Sequence, residues 1–180
     1  MQKETIKIFA ITGSTRRNSS NYKILKYISE NIKTEFKIEI FEDLAGLPHF
    51  NPDLDNDDAP KEVKEFRDKI SEADGVLICT PEYVFSIPGS LKNALEWCVS
   101  TIIFSDKKTG LITASASGEM GHEQLTLIMK TLEAKFEDET RLLIQGIRGK
   151  INEEGEIVSE ETEVALQDFI CNFEKQFIEV

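Results

Sequence analysis

Val76-Leu77-Ile78-Cys79-Thr80-Pro81-Glu82-Tyr83-Val84-Phe85-Ser86-Ile87-Pro88-Gly89-Ser90-Leu91-Lys92-Asn93-Ala94-Leu95-Glu96-Trp97 decides the fold. The run Val76 to Cys79 is apolar throughout, as a strand buried on both faces must be. Leu91, Ala94, Leu95 and Cys98 then recur at helical spacing. Between strand and helix lie two prolines, a glycine and two aromatic residues. An α/β protein places its ligand in such a loop, beyond the carboxyl end of a parallel strand. Pro81 and Pro88 stiffen the link, because each fixes its own φ and restricts the residue before it. Tyr83 and Phe85 offer flat apolar surface to a ring, or they pack inward as in an ordinary strand-to-helix turn. These residues alone leave both readings open.

The same alternation of strand and helix runs along the chain. Ile6 to Ile11 reads as the first strand, and Ile24, Leu25, Ile28 and Ile32 form a helical face after it. Phe36, Ile38 and Ile40 alternate with Lys37 and Glu39, so the second strand has one wet face. Val63, Phe66 and Ile70 mark a helix before the third strand, Gly75 to Cys79. Gly110 to Ala114 is a fourth strand, followed by a helix carrying Leu125, Ile128, Met129 and Leu132. Arg141 to Ile144 is a fifth strand, and Leu166, Phe169, Ile170, Phe173 and Phe177 line the last helix.

Five strands alternating with five helices predict a doubly covered parallel sheet. The first, third and fourth strands are the most continuously apolar and belong in its middle, with the second near an edge. That pattern predicts a flavodoxin-like α/β three-layer sandwich with strand order 2-1-3-4-5, over one domain spanning residues 1–180. The crevice then lies where the loops after the first and third strands meet. Residues 42–60 read as a long acidic connection, either solvated or part of a subunit contact. Its spacing lacks the central glycine and final glutamate of a calcium loop. Residues 145–162 are polar, with a hairpin turn expected at Glu154-Gly155.

The chain has 180 residues, 40% hydrophobic and 30% charged, which suits one globular core. Its net charge is -12, from 33 acidic and 21 basic residues, which disfavours nucleic acid and anionic membranes as partners. The apolar runs are far too short to span a bilayer. Met1-Gln2-Lys3-Glu4-Thr5 leads directly into a strand pattern with no apolar leader, so the expected location is cytoplasmic. Cys79, Cys98 and Cys171 have no close spacing, and His49 and His122 have no cysteine partners, so no metal site is expected.

The first strand ends in Thr12-Gly13-Ser14-Thr15-Arg16-Arg17-Asn18-Ser19-Ser20-Asn21, after which a helix is expected. The segment suits a phosphate monoester. Gly13 permits a sharp turn, Ser14, Thr15, Ser19 and Ser20 offer hydroxyls, and Arg16 or Arg17 brings charge. The helix start adds free N–H groups and the favourable end of its dipole. Ser19 or Ser20 reads equally well as a plain N-cap. The loop is neither a Walker loop nor the Gly-x-Gly-x-x-Gly of dinucleotide domains. After the fourth strand, Ser115-Ala116-Ser117-Gly118-Glu119-Met120-Gly121-His122 is small enough for its backbone to approach a ligand closely, with His122 reading as a capping or surface residue.

With three such loops, the sequence resembles the NAD(P)H-dependent FMN reductase family, which includes quinone, azo-dye and chromate reductases. Gly13-Ser14-Thr15-Arg16 with Ser19 and Asn21 is similar to the family's Gly-Ser-x-Arg-x-x-Ser-x-Asn. Pro81-Glu82-Tyr83, Ser86-Ile87-Pro88-Gly89, Leu91-Lys92-Asn93-Ala94 and Trp97 match a second motif, and Ser117-Gly118 with Gly121 a looser third. The resemblance implies FMN as cofactor, with its phosphate on Ser14, Arg16, Ser19 and Asn21, helped by Ser20. The ring would lie on Pro81, Glu82, Tyr83, Val84 and Phe85, flanked by Ser117 and Gly118. Many members have asparagine and then a small residue after the tyrosine, where this chain has Val84 and Phe85.

The resemblance further implies hydride transfer from NADPH or NADH to the flavin, then electron transfer to a small acceptor at the same face. No catalytic acid or base is assigned. It also implies a homodimer or homotetramer, to which Trp97 and residues 101–106 would contribute unless they are core. The same residues also suit two rivals: an electron carrier of the flavodoxin type, and a flavin-free interaction subunit on the same scaffold.

Overall fold

The computed structural model describes residues 5–178; the polar lead-in Met1 to Glu4 lies outside them. Five parallel strands form one sheet in the order β2-β1-β3-β4-β5, as the apolar patterns predict. They are β1 (Ile6–Thr12), β2 (Phe36–Phe41), β3 (Gly75–Thr80), β4 (Lys108–Ser115) and β5 (Arg141–Gln145). The helices are α1 (Ser20–Asn31), α2 (Lys61–Glu72), α3 (Gly89–Glu96), α4 (Glu119–Thr131) and α5 (Glu160–Lys175). Every residue of β3 is buried, while β2 alternates, which is what a central and an edge strand require.

The period of two along each strand sorts its side chains into two cores. Phe9, Ile11, Val76, Ile78 and Leu111 face α2, α3 and α4, meeting Val63, Phe66, Leu91 and Leu125. Ile8, Ala10, Leu77, Cys79, Ile112 and Ala114 face α1 and α5, meeting Ile24, Leu25, Ile28, Leu166 and Phe173. The sheet is therefore apolar on both sides, and its carboxyl edge is left for polar loops.

Three expectations are corrected, and the alternatives open for Trp97 are decided. Helix α1 begins at Ser20 rather than after Asn21, because Ser19 caps it: the Ser19 hydroxyl accepts the Tyr22 N–H at 3.2 Å. Helix α3 stops at Glu96, so Cys98 lies in the turns beyond the helix, still buried. The acidic connection is packed rather than simply solvated. It makes 3-10 turns at Leu44–Gly46 and Pro52–Leu54, buries Leu44, Leu47 and Ala59, and pairs Asp55 with Arg67. Trp97 is fully buried, its Nε1–H donating to the Pro48 carbonyl at 2.8 Å, and Phe104 is buried with it. These two rings are core, which leaves Ile102 as the exposed apolar residue of that segment.

The hairpin at Glu154-Gly155 forms as expected: Ile151 bridges Ile157, and Gly155 takes φ 95°. Lys23 of α1 donates to the carbonyls of Asn152 and Glu153 and holds the hairpin beside the helix. Cys79 and Cys98 are buried and Cys171 is exposed; burial pushes the Cys98 thiol up to about 12, and Cys79 higher still.

Candidate flavin site

The loops after β1 and β3 leave adjacent strands and are drawn together at once. The Gly13 N–H donates to the Cys79 carbonyl at 2.8 Å. A Cβ on Gly13 would stand 2.2 Å from Thr80 Oγ1 and 2.5 Å from Thr80 Cβ, so only glycine lets the strands close here. Beyond it, the Ser14 hydroxyl accepts the Arg16 N–H at 3.2 Å and curls the loop on itself. Asn18 takes φ 53°, in the left-handed region that asparagine tolerates, and turns the chain into the Ser19 cap.

Ser14, Ser19 and Asn21 are buried, Ser20 is half-buried, and Thr15, Arg16 and Arg17 are exposed. Neither arginine pairs with a carboxylate among the described residues. They border a hollow of about 650 Å³ shared with Tyr22, Glu42 and Asp43. Asn21 is held inward: its Oδ1 accepts the Cys79 S–H at 3.3 Å, tying the first turn of α1 to the end of β3. Arg148, which pattern reading missed, joins Arg16, Ser19 and Ser20 around a second hollow of about 770 Å³. It stands on the 3-10 turn Ile147–Gly149. No motif marks it, because only the return of the chain after β5 brings it to α1.

The segment after β3 is a two-residue hairpin. Tyr83 and Ser86 exchange backbone hydrogen bonds at 2.9 and 3.1 Å, around Val84 at φ 52° and Phe85 at φ 57°. Two successive positive φ values are the geometry for which Asn-Gly is preferred. A β-branched valine and a phenylalanine are strained there. Both are also bare to solvent, Val84 at 94% and Phe85 at 74%. The aromatics of this loop therefore do not pack inward. Pro81 is buried, Glu82 half-buried and Tyr83 exposed. Replacing Val84 by Asn and Phe85 by Gly together is expected to raise unfolding stability by about 1–2 kcal/mol, read as a higher urea midpoint. An unchanged or lower midpoint would show that the turn is relaxed.

The third loop closes the edge. Gly118 is buried at φ 96° and precedes α4, Ser117 is exposed, and the Ala116 carbonyl accepts the Gly146 N–H at 3.0 Å. His122 shares a 3.0 Å hydrogen bond between Nδ1 and the Thr113 hydroxyl. Burial, with Arg141 nearby, holds its pKa below the usual histidine value. It is a half-buried residue of α4 tied to β4, rather than the capping or surface histidine expected.

The donor set fits a flavin mononucleotide. Ser14, Ser19 and Ser20, the exposed guanidinium of Arg16 and the start of α1 are groups able to donate to an anion at the head of the sheet. Thr12 supplies a further sign. Its hydroxyl is buried at the end of β1, on the side that carries α1, without a hydrogen-bond partner among the described residues. Such a group costs free energy unless something completes it.

The profile of the NADPH-dependent FMN reductase family matches residues 6–144. The chain belongs to that family. It is thus an oxidoreductase of the flavin-dependent kind. The chain is 33% identical over 174 residues to the 2-hydroxy-1,4-benzoquinone reductase of a Burkholderia species, covering 93% of this chain and 94% of that one. It is 33% identical to the NAD(P)H:quinone oxidoreductase of Solanum tuberosum, covering 90% and 88%. Among solved structures, the flavoenzyme NAD(P)H:acceptor oxidoreductase FerB from Paracoccus denitrificans superposes with a TM-score of 0.79. That match covers 95% of this chain and 98% of FerB at 24% identity, a likeness of fold.

Proposed function

We propose that this chain is a single flavodoxin-like FMN-binding domain that reduces small quinones at the expense of NADPH or NADH. The observation that carries this reading is the junction of the Ser14–Asn21 loop and the Pro81–Phe85 turn on adjacent strands, with Gly13 and Cys79 hydrogen-bonded between them. FMN, when bound, supplies the chemistry of accepting a hydride and passing electrons onward. The protein binds and orients. Ser14, Arg16, Ser19 and Ser20, with Arg148 beside them, hold the phosphate, while Asn21 fixes the helix that presents them. Pro81, Glu82 and Tyr83 give the ring a stiff edge, and Ser117 and Gly118 flank it. Val84 and Phe85, exposed and apolar, offer a flat surface suited to a quinone ring. The proton that accompanies reduction of the acceptor comes from solvent, since no acid or base is required of the chain. A homodimer or homotetramer belongs to the same reading, supported by the exposure of Val99, Ile102 and Leu127.

The test is an absorbance spectrum with added FMN, before and after anaerobic NADPH or NADH, followed by a small benzoquinone. Perturbed flavin bands that bleach with nucleotide and return with quinone support the proposal. Bound flavin that resists both nucleotides would make the protein a carrier reduced by a partner.

A further inference from the structure

Glu82 differs from its neighbours in the β3–α3 turn. Tyr83, Val84 and Phe85 are exposed, whereas Glu82 is half-buried and its carboxylate reaches α4. Its Oε2 accepts the Gly121 N–H at 2.8 Å. That N–H belongs to the first turn of α4, where the helix provides no internal acceptor. A carboxylate there also meets the positive end of the helix dipole. The fit is close: a Cβ on Gly121 would stand 3.0 Å from Glu82 Cβ, 3.1 Å from its Cγ and 3.3 Å from the Ser86 carbonyl oxygen. From β4, the Ser115 hydroxyl donates to the Glu82 carbonyl at 3.5 Å, a long contact on the same residue.

We infer that Glu82 is a positioning residue, which locks the 116–118 connection and the first turn of α4 against the Pro81–Tyr83 turn so that both meet the flavin as one edge. The inference rests on the FMN placement proposed above. Ala116-Ser117-Gly118, between β4 and α4, has few side chains that could pack, and the Ala116 carbonyl's hydrogen bond from Gly146 holds only its first residue. Such a segment has many open backbone states, and ordering it during binding would weaken the affinity. The hydrogen bond to Gly121 orders it beforehand, across 39 residues of chain. Glu82 acts through Gly121, by a route separate from any backbone contact of its own with the ring.

The test compares Glu82→Ala, Glu82→Gln and Gly121→Ala with the wild type. FMN dissociation constants come from flavin fluorescence quenching, and the environment of the ring from the visible bands of the bound flavin. Glu82→Ala is expected to raise the dissociation constant about tenfold and to shift the bands. Glutamine retains an oxygen that can accept the Gly121 N–H, so Glu82→Gln should recover most of the lost affinity. Gly121→Ala presses on the same contact from the helix side and should weaken binding in the same direction. A lower melting temperature in Glu82→Ala, with dissociation constant and bands unchanged, would reduce Glu82 to a helix cap and overturn the inference. Equal losses in the alanine and glutamine variants would overturn it too, since charge rather than the shared hydrogen bond would then be at work. A wild type that does not bind FMN would bring down the placement of the cofactor along with it, whereas normal wild-type binding confines any failure to Glu82.

Discussion

Arg16→Ala is expected to raise the FMN dissociation constant roughly 30- to 160-fold, the equivalent of about 2–3 kcal/mol for a charge-assisted contact to phosphate. Three features put the effect on this residue. Its N–H is held by the Ser14 hydroxyl, so the loop that carries it is ordered. Its guanidinium is exposed and free of carboxylate partners among the described residues. The chain as a whole carries a net charge of -12, so a dianionic phosphate meets an unfavourable field unless cations are set close by. Riboflavin, which lacks the phosphate, provides the control: its affinity should be the same in wild type and variant. Equal weakening for riboflavin and FMN would mean that the substitution deforms the loop. No weakening for FMN would remove Arg16 from the phosphate site.

Arg67→Leu is expected to lower unfolding stability by about 3–5 kcal/mol, because it leaves a buried carboxylate without its partner. The Arg67 and Asp55 side chains are only 14% and 7% exposed. Arg67 Nε also donates to the Trp97 carbonyl at 2.6 Å, and its guanidinium lies 5.9 Å from the centre of the Trp97 ring. Asp55 accepts in addition from the Ser100 hydroxyl at 2.8 Å. The cluster thus pins the acidic connection to α2 and to the end of α3. Urea denaturation measures the loss. Replacing both Arg67 and Asp55 by leucine should recover much of it, since the cost lies in the stranded charge. A loss below about 1 kcal/mol for Arg67→Leu would place the pair with ordinary surface bridges.

The fold was legible because it depends on burial, and burial is written in local patterns. The alternation of Phe36, Ile38 and Ile40 with Lys37 and Glu39 marks an edge strand, and Val76 to Cys79 marks a central one. With the apolar first and fourth strands, these place the second strand at an edge and the third inside, as in the order 2-1-3-4-5. The acidic connection was less readable. Its aspartates look like a solvated run, and the Asp55 side chain is sheltered by pairing with Arg67, twelve positions away on a helix. Trp97 is ambiguous for a similar reason. A tryptophan just past a helix end suits a core or a contact surface, and the Pro48 carbonyl that fixes it is 49 residues distant.

For the candidate site, the Ser14–Asn21 loop and the Pro81–Phe85 turn could be located because glycine, proline and clustered hydroxyls mark where the chain leaves a strand. What each side chain does there depends on partners far along the chain. Asn21 answers to Cys79, Glu82 to Gly121, and Arg148 comes into place by the return of the chain after β5. The positive φ values of Val84 and Phe85 could not be read from their identities, since both residues normally avoid that region.

The three thiols give this protein a ready-made attachment point for a dye. Cys79 and Cys98 are enclosed, and burial keeps both as unreactive thiols. Cys171 alone stands in solvent, near the end of α5, after which Phe177 packs against Gly75 at the beginning of β3. A maleimide fluorophore would therefore go on at one place, at the opposite end of the sheet from the flavin loops. From there, energy transfer to the isoalloxazine would report cofactor loading in the unmutated chain, with the labelled residue well clear of the chemistry.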